Sequence, residues 1–191
     1  RGKSLWAPRE EGQKIAMRRA YPEGLLPTDV QYIEAHATST QVGDVTELKA
    51  LAGAFPDRGK LPKRIPLGSV KANIGHTLET AGVASLLKAV LAMRQGIIPP
   101  IANLSTPNSG IDWDALPFYL PLQAEPWNRP DENTPRRAAV NSFGIGGLNV
   151  HVVLEEYLPQ ITEKLLQQAD SPLRRNTAFP EPIAVVGVGA I

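Results

Sequence analysis

Three times in this chain a short apolar, β-forming run opens directly into a loop of small and polar residues, and all three histidines stand in or beside those places. Residues 30–33 run into Glu34-Ala35-His36-Ala37-Thr38-Ser39-Thr40, and residues 65–70 run into Lys71-Ala72-Asn73-Ile74-Gly75-His76-Thr77. Residues 137–143 run into Gly144-Ile145-Gly146-Gly147, after which 150–157, containing His151, resumes the strand pattern as the return arm of a Gly-dense hairpin. Helical periodicity fills the intervals. Residues 9–20 put Ile15, Ala16 and Ala20 on one face, and residues 43–55 are expected to bury Val45, Leu48, Ala52 and Phe55. The clearest helix spans 78–95: Val83, Leu86, Leu87, Val90 and Leu91 recur at helical spacing, and Gly96 ends it. Its many alanines permit close approach, so it is expected to be central and buried. Alternating strands and helices that close on an antiparallel pair predict one half of a layered α/β fold.

Composition narrows the function. Twenty Lys and Arg against 19 Asp and Glu give a net charge of +1, which supplies no electrostatic footprint for nucleic acid or an anionic membrane. No apolar stretch approaches the roughly 18 residues of a membrane-spanning helix. There is no cysteine, so disulfides, thiolate metal sites and a Cys nucleophile are excluded within these residues; a cytoplasmic location is expected. The start at Arg1-Gly2-Lys3, without an initiator Met or a signal pattern, reads as an excised piece.

Gly (16) and Pro (18) together exceed the usual share of about 12%, which implies many loops. Residues 60–64 are expected as a surface connection, 98–116 as a long ordered loop, 163–169 as a short helix and 171–182 as a linker. Residues 183–189 read as an apolar strand entering a Gly turn, the first strand of a following domain. The expected division is therefore 1–157, a linker over 158–182, and a new domain opening at 183–191.

Each loop admits a chemical and a structural explanation. A histidine flanked by Ala and hydroxyls, as His36 is, can be held in one tautomer while a ligand approaches over small side chains; a lone histidine in such a setting is more often structural. Lys71 brings a cation within one short loop of His76, and the helix that follows presents backbone N–H groups that favour negative charge; the alternative is a capped helix with a solvated lysine. The Gly144–Gly147 turn can expose N–H groups to an oxyanion, or can serve as a turn and nothing more. A metal site from His36, His76 and His151 is weakly supported, since no two of them have the i, i+4 spacing of a helical ligand pair.

Taken together and in this order, the three segments resemble the C-terminal half of the β-ketoacyl synthases of type I polyketide and fatty-acid synthases. The family pattern is E-A-H-G-T-G-T, then K-x-N-I-G-H-T, then N-S-F-G-F-G-G-T-N, and here it stands as Glu34–Thr40, Lys71–Thr77 and Asn141–Asn149. Gly43-Asp44 with Glu47, Ala81-Gly82, Pro99-Pro100, Asn103-Leu104 and Val152 with Leu154-Glu155 extend the likeness over roughly residues 5–157.

The resemblance implies a thiolase-like layered α/β/α fold and a decarboxylative Claisen condensation between an acyl-Cys, held in the other half, and a malonyl thioester on an acyl carrier protein. It implies catalytic roles for His36 and His76, with Lys71 supporting the electrostatics around His76. Thr38 and Thr40 would hydrogen-bond the carrier's phosphopantetheine arm. The N–H of Ile145 would serve the oxyanion hole, flanked by Phe143 and Gly144. No cofactor of the chain's own is implied. The N-terminal half of the domain and a second copy in a homodimer are implied as partners, and the 191 residues alone are expected to be inactive and to expose a large apolar face.

Departures are Ala37 and Ser39 where the family has glycines, Ile145 where it has a gating Phe, and Leu148 where it has Thr. The runner-up is a non-catalytic partner of the same fold, a chain-length factor or a non-elongating ketosynthase that relays acyl chains. Residues 181–189 resemble the opening strand of another ketosynthase-type domain, although an apolar strand with Gly-x-Gly also opens nucleotide-binding folds.

Overall fold

The computed structural model describes residues 7–55, 64–159, 161 and 183–190. In chain order its elements are α1 (Glu10–Ala20), β1 (Tyr32–Glu34), α2 (Gln41–Ala54), β2 (Ile65–Gly68), the single turn α3 (Lys71–Ile74), α4 (Ala81–Gln95), β3 (Ile97–Ile98), β4 (Phe118–Tyr119), β5 (Glu125–Pro126), β6 (Arg137–Phe143), β7 (Asn149–Glu156) and β8 (Ile183–Ala190). The expected helix over 163–169, the linker over 171–182 and most of the connection over 60–64 lie outside the described residues.

Six strands form one sheet in the order β4-β2-β1-β6-β7-β8. β4, β2, β1 and β6 run parallel, and β7 and β8 are antiparallel to their neighbours. β1 is central and buried on both faces, as parallel strands between helical layers are. Successive side chains therefore serve different cores. Ile33, Ala139 and Val153 face a cluster with Met17 of α1 and Leu48 and Leu51 of α2. Tyr32, Ala138, Val140 and Leu154 face a second cluster with Ala89 and Met93 of α4 and with Trp127. The result is a layered α/β/α unit. Residues 183–190, expected to open a following domain, pair along β7 from Glu156↔Ile183 to Val150↔Ala190.

Two helices bury a different stripe from the one their periodicity suggests. In α2 the buried residues are Glu47, Leu48, Ala50 and Leu51, with Phe55 at its end, while Val45 and Ala52 are only half-buried. The phase turns because Glu47 is drawn inward by hydrogen-bond donors. In α4 the buried residues are Ala81, Ser85, Ala89, Ala92 and Met93, a small-residue face laid on the sheet. Val83, Leu87 and Leu91, expected in the core, are 59%, 56% and 53% exposed. The helix thus has two apolar faces, and periodicity alone selects the one with the larger side chains. Gly96 does terminate it, at φ 64, with its N–H returned to the carbonyls of Ala92 and Met93.

Covering a large aliphatic side chain is worth about 1.5–3 kcal/mol, so the exposed α4 stripe is expected to favour association. The isolated chain is expected to self-associate in sedimentation, and Leu87→Lys with Leu91→Lys is expected to shift it toward monomer. A monodisperse monomer with the stripe intact would contradict this.

Candidate active site

Topology explains why three distant segments meet. β2, β1 and β6 are adjacent and parallel, about 5 Å from strand to strand, so their carboxyl ends open on the same edge of the sheet. Each of those ends carries one of the three loops. The chain leaves β1 toward β2 on one side and β6 toward β7 on the other, so the carboxyl ends of β1 and β6 flank a topological switch point, the usual place for a ligand crevice in α/β sheets. The rings of His36 and His76 stand 5.6 Å apart, edge to face at 87°, and Phe143 lies 5.6 Å from His36. A cavity of about 290 Å³ is lined by both histidines together with Thr38, Thr40, Phe143, Gly144 and Ile145. Of the residues to which the resemblance gives catalytic or substrate-binding roles, Lys71 alone is absent from its wall.

Two carboxylates on successive turns of α2 hold the His36 loop. Glu47 accepts the backbone N–H groups of His36 and Ala37, both at 2.8 Å, and Asp44 accepts those of Ser39 and Thr38. Four consecutive N–H groups can converge on one helix face because the backbone reverses hand: Ala37 has φ 27 and Ser39 φ 60. These are the two positions where glycine stands in the family pattern. Thr40 then caps α2, its Oγ1 accepting the Gly43 N–H at 3.2 Å and lying 3.1 Å from Thr38 Oγ1. A Cβ on Gly43 would come 2.3 Å from Thr40 Oγ1, so that cap requires glycine there.

A left-handed conformation costs a non-glycine residue about 1–2 kcal/mol, and a new glycine loses about 0.4–1 kcal/mol through the unfolded chain. Ala37→Gly and Ser39→Gly are each expected to stabilise the domain by roughly 0.5–1 kcal/mol, read as a raised denaturation midpoint. A lowered midpoint in both would contradict the strained geometry.

The second loop begins at Val70, whose N–H is taken by the carboxylate of Glu34 at the end of β1. Fully buried Glu34 also accepts Tyr32 Oη at 2.6 Å and the Lys88 ammonium of α4 at 3.0 Å. Asn103, left-handed at φ 55, donates to the Ala72 carbonyl at 2.7 Å. Gly75, at φ 74 and ψ −177, turns the chain into His76 in a conformation that only glycine adopts freely. His76 Nδ1 accepts the Leu78 N–H at 3.1 Å, which places the proton of the neutral ring on Nε2. The third loop turns through Gly146 and Gly147, both with positive φ, and closes with Gly144 N–H on the Leu148 carbonyl at 2.6 Å. Gly82 of α4 lets Ser142 approach: a Cβ there would lie 2.6 Å from its Oγ.

Burial, with Lys71 and His76 adding to it, pulls His36 down to about 3, so its ring is neutral at neutral pH. Burial also lowers Lys71, against the pull of Glu47 and Glu34. Burial raises Glu47, opposed by the Ala37 N–H, the Asn141 amide, the His36 N–H and the charge of Lys71. His36 Nδ1, Lys71 Nζ and Thr77 Oγ1 are buried without a hydrogen-bond partner among the described residues. His151 lies behind the site, fully buried and off the cavity wall. Among the described residues no group of three or more acidic or histidine side chains is placed to hold a metal ion, and no helix is long and apolar enough to cross a membrane.

Sequence reasoning missed the anchoring residues Glu34, Asp44, Glu47 and Asn141 as such. Their signal was present. Asp44 and Glu47 stand i, i+3 on one helix face, just after a loop whose N–H groups need acceptors.

The sheet order, the two helical layers and the loops gathered at one end define half of a thiolase-like α/β/α fold. The ketosynthase from module 6 of the bacillaene synthase of Bacillus subtilis 168 is similar to it, with a TM-score of 0.77 and 38% identity over 83% of this chain and 28% of that one. Residues 1–105 match the family described as beta-ketoacyl synthase, C-terminal domain, and residues 107–187 match the ketoacyl-synthetase C-terminal extension. The chain belongs to the β-ketoacyl synthase family, as a ketosynthase C-terminal domain of the polyketide synthase kind.

Among curated relatives, the polyketide synthase GfsA of Streptomyces halstedii is 40% identical over 98% of this chain. The 6-methylsalicylic acid synthase of Penicillium expansum is 42% identical over 81% of it. The chain spans 2% and 9% of the lengths of those two synthases.

Proposed function

We propose that this chain supplies the decarboxylation and enolate-holding half of a chain-extending ketosynthase. Its partner half supplies a cysteine that carries the acyl group. The malonyl thioester enters on the phosphopantetheine arm of an acyl carrier protein, past Thr38 and Thr40. His76, through Nε2–H, and neutral His36 donate hydrogen bonds to its thioester oxygen. The bond between the malonyl C2 and its carboxylate breaks, CO₂ leaves, and the electron pair passes into an enolate whose oxygen the two imidazoles hold. C2 then attacks the acyl-Cys carbonyl carbon, with the developing oxyanion held by the Ile145 N–H and the cysteine N–H. The C–S bond breaks, the thiolate is freed, and the extended β-ketoacyl group stays on the carrier.

The observation that carries this reading is the pair of imidazoles 5.6 Å apart on one cavity. Two fixed donors aimed at one developing charge in a dry site are worth several kcal/mol, and each typically contributes about 10²–10³ in rate. A neutral His36 donates without carrying the positive charge that burial penalises. Lys71 stays off the cavity wall and supplies positive potential to the enolate. The exposed α4 stripe would be covered by the N-terminal half, in a domain that pairs as a homodimer; residues 1–157 form the ketosynthase portion.

The test uses a complete domain containing this chain, acyl-loaded on its cysteine and given malonyl carrier protein. Release of one CO₂ per turnover, with a product two carbons longer on the carrier, is expected. Transfer of the acyl group to the carrier with no CO₂ release would overturn the reading in favour of a non-elongating, acyl-relaying ketosynthase.

A further inference from the structure

Behind the cavity, four buried or half-buried polar side chains from four different elements form one hydrogen-bonded line. Tyr21 closes α1, and its Oη lies 3.2 Å from His151 Nε2 on β7. His151 Nδ1 lies 2.6 Å from Oδ1 of Asn141, its direct cross-strand partner on β6. Asn141 Nδ2 donates to Glu47 Oε1 at 2.8 Å, and Glu47 holds the N–H groups of His36 and Ala37. His151 and Asn141 are fully buried and Glu47 is 3% exposed.

With Glu47 ionised, the direction of every bond in this line follows. Its carboxylate holds two backbone N–H groups and can only accept, so Asn141 must present its NH₂ to it. Asn141 then has only its carbonyl left for His151, so His151 must carry its proton on Nδ1 and accept the Tyr21 hydroxyl at Nε2. An amide flip of Asn141 would put a carbonyl oxygen against the carboxylate and its NH₂ against the His151 N–H, so Glu47 and His151 oppose the flip from opposite ends.

We propose that His151 is a positioning residue for His36: by donating from Nδ1 it locks the Asn141 amide, which locks the Glu47 carboxylate, which sets the backbone position of His36. The assignment rests on the role proposed above for His36. The His151 ring lies off the cavity wall, so it acts only through this line. A displacement of the imidazole by about 1 Å is enough to cost on the order of 10² in rate.

Three variants of a complete domain separate positioning from mere packing. His151→Asn puts an amide nitrogen where Nδ1 stands and keeps the donor. His151→Gln puts its nitrogen where Nε2 stands and loses the donor, and His151→Leu loses both. Malonyl decarboxylation kcat is expected to fall about 10- to 100-fold in His151→Gln and His151→Leu, with KM for the malonyl carrier and the rate of acyl loading unchanged. His151→Asn is expected to stay within a few-fold of the parent.

Amide hydrogen exchange supplies a readout that does not depend on the reaction. Exchange at His36 and Ala37 is expected to speed up in His151→Gln while the amides of β1 and β6 keep their protection. His151→Gln that melts like the parent and retains both kcat and His36 protection would overturn the proposal, as would equal losses in the Asn and Gln variants. His36→Ala is run beside them. If it leaves decarboxylation intact while exchange at His36 still responds to His151→Gln, the reaction reading fails and the positioning line stands.

Discussion

His36→Ala and His76→Ala in a complete ketosynthase domain are each expected to lower malonyl decarboxylation by about 10²–10³, the usual cost of one preorganised donor to a developing oxyanion. The two losses arise differently. Removing His76 deletes a ring whose tautomer is already fixed by the Leu78 N–H, so the donor at Nε2 disappears outright. His76→Gln, whose amide nitrogen reaches the position of Nε2, is expected to recover part of the rate. Removing His36 deletes a neutral ring but leaves the Glu47 clamp on the backbone intact, so the fold around it persists. Acyl loading on the partner half's cysteine is expected to be nearly untouched in both, because neither imidazole is assigned to that step. The measurement is CO₂ release from malonyl carrier protein beside the rate of cysteine acylation. Undiminished CO₂ release in both variants would sink the assignment.

Glu34→Ala is expected to cost about 3–5 kcal/mol, because it strands a mostly buried ammonium. Lys88 loses its 3.0 Å partner with its side chain only 14% exposed, and the Tyr32 hydroxyl and the Val70 N–H each lose an acceptor. Against a typical domain stability of 5–15 kcal/mol this is a large fraction. It also frees the turn that places Lys71 and His76 relative to β1, so activity is expected to fall more than the unfolded fraction alone explains. Replacing both charges, as Glu34→Leu with Lys88→Met, is expected to restore most of the stability, since a well-packed apolar pair often equals a buried ion pair. The denaturation midpoints of the three proteins check this. A Glu34→Ala domain within about 0.5 kcal/mol of the parent would show that the carboxylate bears little load.

What could be seen from sequence was the part that depends on local pattern. The Gly96 stop and the three strand-to-loop transitions follow from residue types in order, and the family resemblance named His36, Thr38, Thr40, His76, Phe143, Gly144 and Ile145 of the cavity wall. What could not be seen depends on which face a tertiary partner claims. α4 carries Ala81, Ser85, Ala89 and Ala92 on one side and Val83, Leu87 and Leu91 on another, and a hydrophobic pattern ranks the second above the first. Sheet packing favours the small residues, because they let the helix sit close to Ala138 of β6. In α2 the decisive residue is a buried carboxylate, which no apolar stripe would include. The positive φ of Ala37 and Ser39 was hidden for a related reason: alanine and serine give no local sign of a left-handed backbone that the carboxylates of α2 impose.

The sharpest test of the shared oxyanion is a double-mutant cycle on decarboxylation, with His36→Ala, His76→Ala and the double variant in one complete domain. Groups that act together on one charge are strongly non-additive, so the double variant is expected to lose little more than the worse single variant. Losses that multiply, with no coupling between the two histidines, would contradict a common oxyanion.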